Sequence, residues 1–304
     1  MEKQEVMCPK CESNEVVKRG YILTKINNKK QRYYCKRCDK KFIPQSPFYR
    51  MRNSPNKITL CLDLFFRGIS TRKVQEHLQA FYPHNSDHST ILRWIVKYSN
   101  LINEFTNKLN VNVGSEVQAD EVEYRRRKSH KAKLGIEQNW FVDVMDTKTR
   151  FMVASDYMET RTINNMAKVL KLAKQKTGEQ VKVFTTDGLS AYRKALNKSF
   201  GLHKRQAKTK IIHNVIIANE RGFNYPIERL HNNIRARTKT FRGFHGSLYS
   251  AQSIMRGWEI YYNFITKHQA INCSPYELAT DLKLTSNNKW LELINLANQK
   301  DLKC

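Results

Sequence analysis

Two pairs of cysteines near the start of the chain constrain its fold more than any other feature. Cys8 and Cys11 form the first Cys-x-x-Cys pair, Cys35 and Cys38 form the second, and 23 residues separate the pairs. The two-residue spacer lets both thiolates of a pair bind one tetrahedral metal, although the segment between the pairs is slightly longer than the usual spacing of about 15–20 residues. The pattern therefore predicts a structural Zn²⁺ site with four cysteine ligands rather than a disulfide pair.

Residues 1–45 are accordingly predicted to form a zinc ribbon. Short β-prone pieces at 16–17, 21–23 and 32–34 lie between the pairs, and Asn27-Asn28 is typical of a turn. So small a unit cannot bury enough apolar surface to fold alone, so the metal would supply the missing free energy. Basic and aromatic side chains mix near the second pair, which leaves open whether this unit also contacts DNA.

The charge of the chain indicates a polyanionic partner. Its 304 residues include 54 Lys and Arg against 27 Asp and Glu, a net charge of +27. Such a protein attracts nucleic acid because each neutralised phosphate releases counterions, although a ribosomal-type or membrane-surface protein could share this balance. No apolar run approaches the ~20 residues of a membrane span, and the first residues do not read as a signal peptide. Cys61, Cys273 and Cys304 are scattered, which favours a reducing cytoplasm.

Residues 46–110 are predicted to form a helix-turn-helix DNA-binding domain. Apolar residues from Ile58 to Phe66 predict a first helix that ends at Gly68. Ile91, Ile95 and Tyr98 are at helical spacing and predict the third helix of the domain. Candidate caps are Ser70 or Thr71 for the second helix and Ser86 or Ser89 for the third.

The third helix of such a domain would lie in the major groove. Arg93 and Lys97 are the candidates for its exposed, DNA-contacting face.

An α/β domain is predicted for residues 111–270, followed by a C-terminal helical tail at 271–304. Strand patterns at 117–120, 140–145 and 151–154 precede a helix capped by Thr162, and strands near 181–185 and 211–216 then alternate with helices. Three strands in a meander followed by alternation predict a mixed sheet with helices on its faces. The basic run 125–133 is predicted to be a loop between the first two strands, either gripping DNA or simply solvated.

Three acids stand at positions where such a sheet would bring them together. Asp120 lies in the first strand, Asp187 directly follows the fourth, and Glu228 lies in the first turn of the helix opened by Pro226. Converging carboxylates form an oxygen-rich site for Mg²⁺ or Mn²⁺, and two such ions can support an in-line phosphoryl displacement. The sequence therefore predicts a catalytic metal site.

Other acids compete for these roles. Glu220, 33 positions after Asp187, is a rival third acid, but it lies among residues that predict a loop. Glu121 and Glu123 are weaker rivals for the first acid, because Glu121 should point away from the face that carries Asp120.

The helix that begins at Pro226 also carries basic residues. An apolar stripe is predicted to face the sheet (Ile227, Leu230, Ile234 and Phe241). A neighbouring polar stripe consists of Glu228, His231, Asn232, Arg235 and Lys239. Arg235 and Lys239 are candidates for contact with DNA phosphates, unless they form only a solvated basic face.

Together these features resemble the DDE transposases of prokaryotic insertion sequences, which have a ribonuclease H-like core. The most specific stretches are Val117-Gln118-Ala119-Asp120-Glu121, Thr185-Thr186-Asp187-Gly188, Ile227-Glu228-Arg229-Leu230-His231-Asn232 and the run from Arg237 to Phe244. The resemblance places the catalytic acids on Asp120, Asp187 and Glu228, and Arg235 matches a basic residue often found seven positions later. The gap from Asp187 to Glu228 is longer than is common in such enzymes.

The resemblance implies an α/β protein with a ribonuclease H-like core that binds element ends, cuts DNA with Mg²⁺ or Mn²⁺ and joins the 3′ end to target DNA. Its partner would be double-stranded DNA, bound by a homodimer or larger assembly in the cytoplasm at the nucleoid. Two alternatives stay open: a zinc-ribbon and helix-turn-helix regulator without catalysis, and a structure-specific nuclease of the same fold.

Overall fold

In the computed structural model the chain divides into two compact units, Met1–Pro55 and Asn56–Cys304. The structure describes residues 6–23, 29–44, 46–49, 51–82, 86–127, 136–201, 211–216, 225–238 and 244–300. Within these ranges, no helix has both the length and the apolar character needed to cross a lipid bilayer.

The first unit is a small antiparallel sheet. Its strands are β1 (Val16–Leu23), β2 (Lys29–Cys35) and β3 (Lys41–Phe42), in the order β1-β2-β3. The buried cluster of this unit consists of Cys8, Cys35 and Phe42, with a few partly buried neighbours. Cysteine side chains thus occupy the place of an apolar core, as expected where a metal stabilises the fold.

Three helices open the second unit: α1 (Pro55–Phe66), α2 (Thr71–Phe81) and α3 (His88–Thr106). Ser70 caps α2, because its hydroxyl accepts a hydrogen bond from the Lys73 N–H. The predicted caps of α3 are wrong: Asp87 occupies that position and its Oδ1 accepts from the Ser89 N–H at 2.8 Å. A carboxylate caps well because it also meets the positive end of the helix dipole.

A mixed sheet forms the centre of this unit, which confirms the predicted α/β class. Its strands are Glu116–Arg127 (β4), Ile136–Asp146 (β5), Met152–Met158 (β6), Val183–Thr186 (β7) and Ile212–Val215 (β8). They follow the order β6-β5-β4-β7-β8, and the short β9 (Phe244–His245) also pairs with β4. β4, β5 and β6 form an antiparallel meander, whereas β7 and β8 run parallel to β4.

Helices cover both faces of the sheet. Successive side chains of β4 point to opposite faces: Asp120 approaches His231 of one helix, and Glu121 contacts Tyr192 of another. The helices are α4 (Ile163–Thr177), α5 (Ser190–Phe200), α6 (Tyr225–Thr238), α7 (Leu248–Ile260) with a π-helical turn at Tyr261–Ile265, α8 (Pro275–Ala279) and α9 (Lys289–Lys300).

The prediction that the basic run 125–133 is a loop is wrong for its first three residues. Arg125 to Arg127 extend β4 and pair with β5, because the hairpin arms are longer than the apolar pattern indicated. Arg126 is buried, and its guanidinium bonds to Glu159 and the Gly246 carbonyl. The rest of the predicted loop, from 128 onward, lies outside the described residues.

Candidate functional site

Three carboxylates meet where β7 ends. Asp120, Glu121 and Asp187 each offer an oxygen, and these oxygens lie within 4.8 Å of one another. β7 runs parallel to β4 with Gln118 opposite Thr185, so Asp187, two residues on, arrives level with Asp120. The sheet register thus brings together two acids that are 67 positions apart in the chain.

Glu121 is predicted to point away from the site, but its carboxylate reaches the acid cluster. The two side chains do leave β4 on opposite faces, but the β4–β7 pairing covers only Glu116 to Gln118. Beyond Gln118 this pairing no longer occupies the edge of β4, so carboxylates from both faces reach the same space. The Asp120 carboxylate is also turned toward the next residue of the strand, since its Oδ1 accepts the Glu121 N–H at 2.8 Å.

Glu121 is held by two strong donors. Arg161 Nη1 lies 2.7 Å from Oε1, and the Tyr192 hydroxyl donates to Oε2 at 2.7 Å. Burial raises the pKa of Glu121, although the Tyr192 hydrogen bond opposes the change. Arg161 is fixed in turn, because its guanidinium lies 3.9 Å from the ring centroid of Trp140. No sequence pattern points to Arg161 or Tyr192, which enter the site only through helix and loop packing.

Asp187 is half-buried at the turn that leads into α5. Its Oδ1 accepts the Leu189 N–H at 3.0 Å. Burial raises its pKa, and the nearby Asp120 carboxylate raises it further. A cation placed among these acids would relieve both effects, because it offsets desolvation and like-charge repulsion.

Asp120 is linked to a buried acid through a histidine. His231 of α6 lies with Nδ1 3.4 Å from Asp120 Oδ2 and Nε2 2.6 Å from Asp143 Oδ1. Burial lowers the pKa of His231, but the Asp143 and Asp120 carboxylates outweigh it and raise the pKa to about 10. Complete burial raises the pKa of Asp143, against the effect of His231.

Sequence reasoning missed this pair. The sequence pattern places His231 on a polar stripe of this helix, yet its side chain is only 3% exposed. It lies next to the apolar stripe, of which Ile227, Leu230 and Ile234 are buried as predicted, whereas Phe241 lies outside the described residues. A usable signal existed, because Asp143 is the one acid inside the apolar strand segment 140–145.

The other predicted site residues lie apart from this cluster or beyond what is described. Glu228 is partly buried in the first turn of α6, almost one turn before His231, and does not belong to the described group of close carboxylates. Arg235 is exposed on the same helix. Lys239 and the rival Glu220 lie outside the described residues.

The two predicted DNA-contacting residues of α3 are exposed. Arg93 bonds to its own helix, with Nη2 3.0 Å from Thr90 Oγ1 and Nε 3.3 Å from the Ser89 carbonyl. The Lys97 ammonium lies 5.1 Å from the Tyr98 ring centroid. Both side chains line a groove whose opposite wall includes Tyr249 and Ser250 of α7.

The four cysteines of the first unit gather around one point. Their sulfurs lie within 4.8 Å of one another, with Cys8 to Cys38 at 3.5 Å and Cys11 to Cys35 at 3.6 Å. Four thiolates about 2.3 Å from a tetrahedral Zn²⁺ would be about 3.8 Å apart, so the donor set fits that ion.

The backbone after each pair is shaped alike. Glu12 and Asp39, each the residue that follows a pair, have left-handed φ angles of 55° and 56°. The turn at the first pair brings the Lys10 N–H to 3.5 Å from Cys8 Sγ. Two matching turns therefore present the four sulfurs.

Comparison with known proteins identifies no family for this chain. No protein-family model matches the chain, and no curated protein matches its sequence. Among solved structures, the chain is similar to one in a cryo-EM structure of a simian T-cell lymphotropic virus intasome in complex with PP2A regulatory subunit B56 gamma. The identity is 12%, the match covers 77% of this chain and 75% of that chain, and the TM-score is 0.38. A likeness of this strength carries no argument about activity.

Proposed function

We propose that this chain is a DDE-type DNA transposase that binds insertion-sequence ends and catalyses metal-dependent DNA cleavage and strand transfer. The observation that carries the proposal is the meeting of Asp120 and Asp187, which lie far apart in the sequence and share one space at the end of β7. Carboxylate oxygens are the ligands that Mg²⁺ and Mn²⁺ prefer.

Asp120 and Asp187 would hold the divalent ions, and Glu228 would complete the set. When bound, such ions activate the attacking oxygen and stabilise the leaving oxygen of a phosphoryl displacement. Glu121 is the rival third acid by distance, but the Arg161 guanidinium and the Tyr192 hydroxyl each lie 2.7 Å from one of its oxygens, and the Arg161 charge would repel a metal ion there. We therefore keep Glu228 as the third acid and assign Glu121 to holding Arg161 beside the acids.

DNA binding is assigned to the basic surfaces. The net charge of +27 supplies general attraction to phosphates, and Arg93, Lys97, Arg235 and Lys239 are the proposed contacts. The four-cysteine unit would act as a zinc ribbon that contributes to recognition of the element ends. Two ends must be processed together, so the active form would be a homodimer or larger on DNA.

The test is strand transfer by purified variants in Mg²⁺ or Mn²⁺, using the DNA that flanks the coding sequence as the source of ends. We expect Asp120→Asn, Asp187→Asn and Glu228→Gln each to lower activity by about 100-fold or more, as for loss of a group that stabilises the transition state. Glu121→Gln should cost clearly less. Glu123→Gln is the matched control, since Glu123 lies on the same strand and pairs with exposed Arg125.

Each failure has a distinct meaning. Full strand transfer by both aspartate variants would exclude the acid site as the catalytic centre. Cleavage without joined product in the unmodified protein would indicate a nuclease, and binding without cleavage would indicate a regulator. Loss in Glu121→Gln together with normal activity in Glu228→Gln would move the third acid to Glu121.

A further inference from the structure

One side chain joins the acid cluster to the interior of the sheet. His231 has a carboxylate at each ring nitrogen, with Asp143 Oδ1 2.6 Å from Nε2 and Asp120 Oδ2 3.4 Å from Nδ1. Exposure falls along this line, from 21% for the Asp120 side chain to 3% for His231 and 0% for Asp143. Asp120, the candidate metal ligand, is therefore linked through His231 to the fully buried Asp143.

The sheet register creates this arrangement. Asp120 and Asp143 are directly opposite each other in the β4–β5 pairing, so their side chains share one face. α6 packs against β4 on that face, where the Tyr124 hydroxyl also reaches the Ile234 carbonyl of the helix. The ring of His231 then lies between two carboxylates that the sheet has already placed side by side.

Each oxygen of Asp120 has a polar neighbour. Oδ1 accepts the Glu121 N–H at 2.8 Å, and Oδ2 faces His231. A carboxylate with a hydrogen bond at one oxygen and an ion-pair contact at the other has less freedom to rotate, and this preorganisation favours ion binding. Groups that orient metal-binding side chains in this way typically change metal affinity by about 10–100-fold when mutated.

Packing alone does not explain Asp143. Its Oδ2 is buried and has no hydrogen-bond partner within the described residues. A buried carboxylate with one satisfied oxygen costs free energy. An apolar side chain would fill the same position in the sheet without that penalty.

We infer that His231, anchored by Asp143, is a positioning residue that fixes the orientation of Asp120 and thereby sets the affinity of the acid site for divalent cations. The inference rests on the proposed function, in which Asp120 is a metal ligand. His231 acts through Asp120 and does not itself contact the reacting groups.

The experiment measures Mn²⁺ affinity through the paramagnetic resonance signal of free Mn²⁺, alongside strand transfer. We expect His231→Gln to weaken Mn²⁺ binding by about 10–100-fold. Activity should recover at high Mn²⁺, since the apparent KM for the metal rises far more than kcat falls. Asp143→Asn should also weaken Mn²⁺ binding. The double variant should bind Mn²⁺ no more weakly than His231→Gln alone, because both changes break the same Asp143–His231–Asp120 linkage.

His268→Gln is the matched control. His268 Nε2 lies 3.0 Å from the Tyr262 carbonyl, and neither residue belongs to the acid cluster. This variant should keep the wild-type Mn²⁺ affinity. If His231→Gln fails to fold, as judged by thermal unfolding, Asp143→Asn decides the question.

Wild-type Mn²⁺ affinity in folded His231→Gln, or in Asp143→Asn where the first variant does not fold, would overturn the inference. Fully additive losses in the double variant would also overturn it. The proposed function has separate controls: it fails if Asp120→Asn and Asp187→Asn keep full Mn²⁺ binding and strand transfer. Loss in those variants with normal affinity in His231→Gln would reject the positioning role alone.

Discussion

Gly257 of α7 lies where the helix passes close to α1 and α3. A methyl group at this position would overlap the Phe66 ring and come 2.5 Å from Ser99 Oγ. Glycine inside a helix normally costs about 1 kcal/mol relative to alanine. Here the absence of a side chain is what lets three helices approach one another.

We expect Gly257→Ala to destabilise the protein despite its better helix propensity. Overpacking a core usually costs about 1–3 kcal/mol, and the nearest contact is a ring held among other aromatic side chains. Urea unfolding should show the loss. Adding Phe66→Leu should recover part of it by removing the overlapping ring atoms, whereas a more stable Gly257→Ala would show that the helices can separate freely.

At the scale of elements, a buried ion pair ties α4 to α7 and the sheet. Lys176 Nζ lies 3.6 Å from Glu259 Oε1, and the Ser155 hydroxyl donates to Glu259 Oε2 at 2.6 Å. Lys176 and Glu259 are about 95% buried. Each charge therefore depends on the other for compensation.

Removing one partner should cost much more than removing both. We expect Lys176→Met to lower the free energy of unfolding by about 3–5 kcal/mol, because it leaves the Glu259 carboxylate buried without its cation. The double variant Lys176→Met/Glu259→Gln should lose less than this single change. A double variant as unstable as the sum of the two single ones would mean that the pair contributes no coupling energy.

The same pair predicts a pH dependence. Burial lowers the pKa of Lys176 below its ordinary value of 10.5, against the opposing effect of Glu259. In the pH range between the lowered pKa and 10.5, the unfolded chain binds more protons at this site than the folded protein. The Lys176 contribution to stability should therefore rise with pH in that range, and Lys176→Met should remove the rise.

Local sequence signals predicted most elements correctly. The helices and strands of the α/β sheet occur in the predicted order, because apolar periodicity and turn residues act over a few positions. The extent of elements was harder to predict. The β4–β5 hairpin continues through Arg125 to Arg127, since pairing with β5 outweighs the basic composition, and Asp87 rather than a serine caps α3.

At the scale of the whole molecule, the first unit should depend on metal and the second should not. Metal binding to four thiolates displaces their protons and supplies folding free energy to a unit whose buried cluster holds one large apolar side chain. A chelator should therefore unfold residues 6–44 while the circular dichroism of the helical unit persists. Loss of the whole signal at one chelator concentration would contradict this.

Cobalt offers a direct readout of the same site. Co²⁺ bound by four thiolates is tetrahedral and strongly coloured in the visible range. Cys35→Ser should weaken that absorbance and lower metal affinity, whereas Cys273→Ser, which changes a cysteine outside the cluster, should not. Equal absorbance in the two variants would exclude the four-cysteine site.

The sequence by itself determined the α/β class and element order, and it marked the cysteine pairs and the acids Asp120 and Asp187. These depend on spacing, alternation and composition, which act locally. Only the tertiary structure decided that Glu121 reaches the acid cluster and that Asp143 and His231 stand behind Asp120. Such contacts depend on strand register and helix docking between residues up to 111 positions apart. The alternation of side chains along a strand assigns each residue to a face of the sheet but does not show which residues of other elements pack against that face.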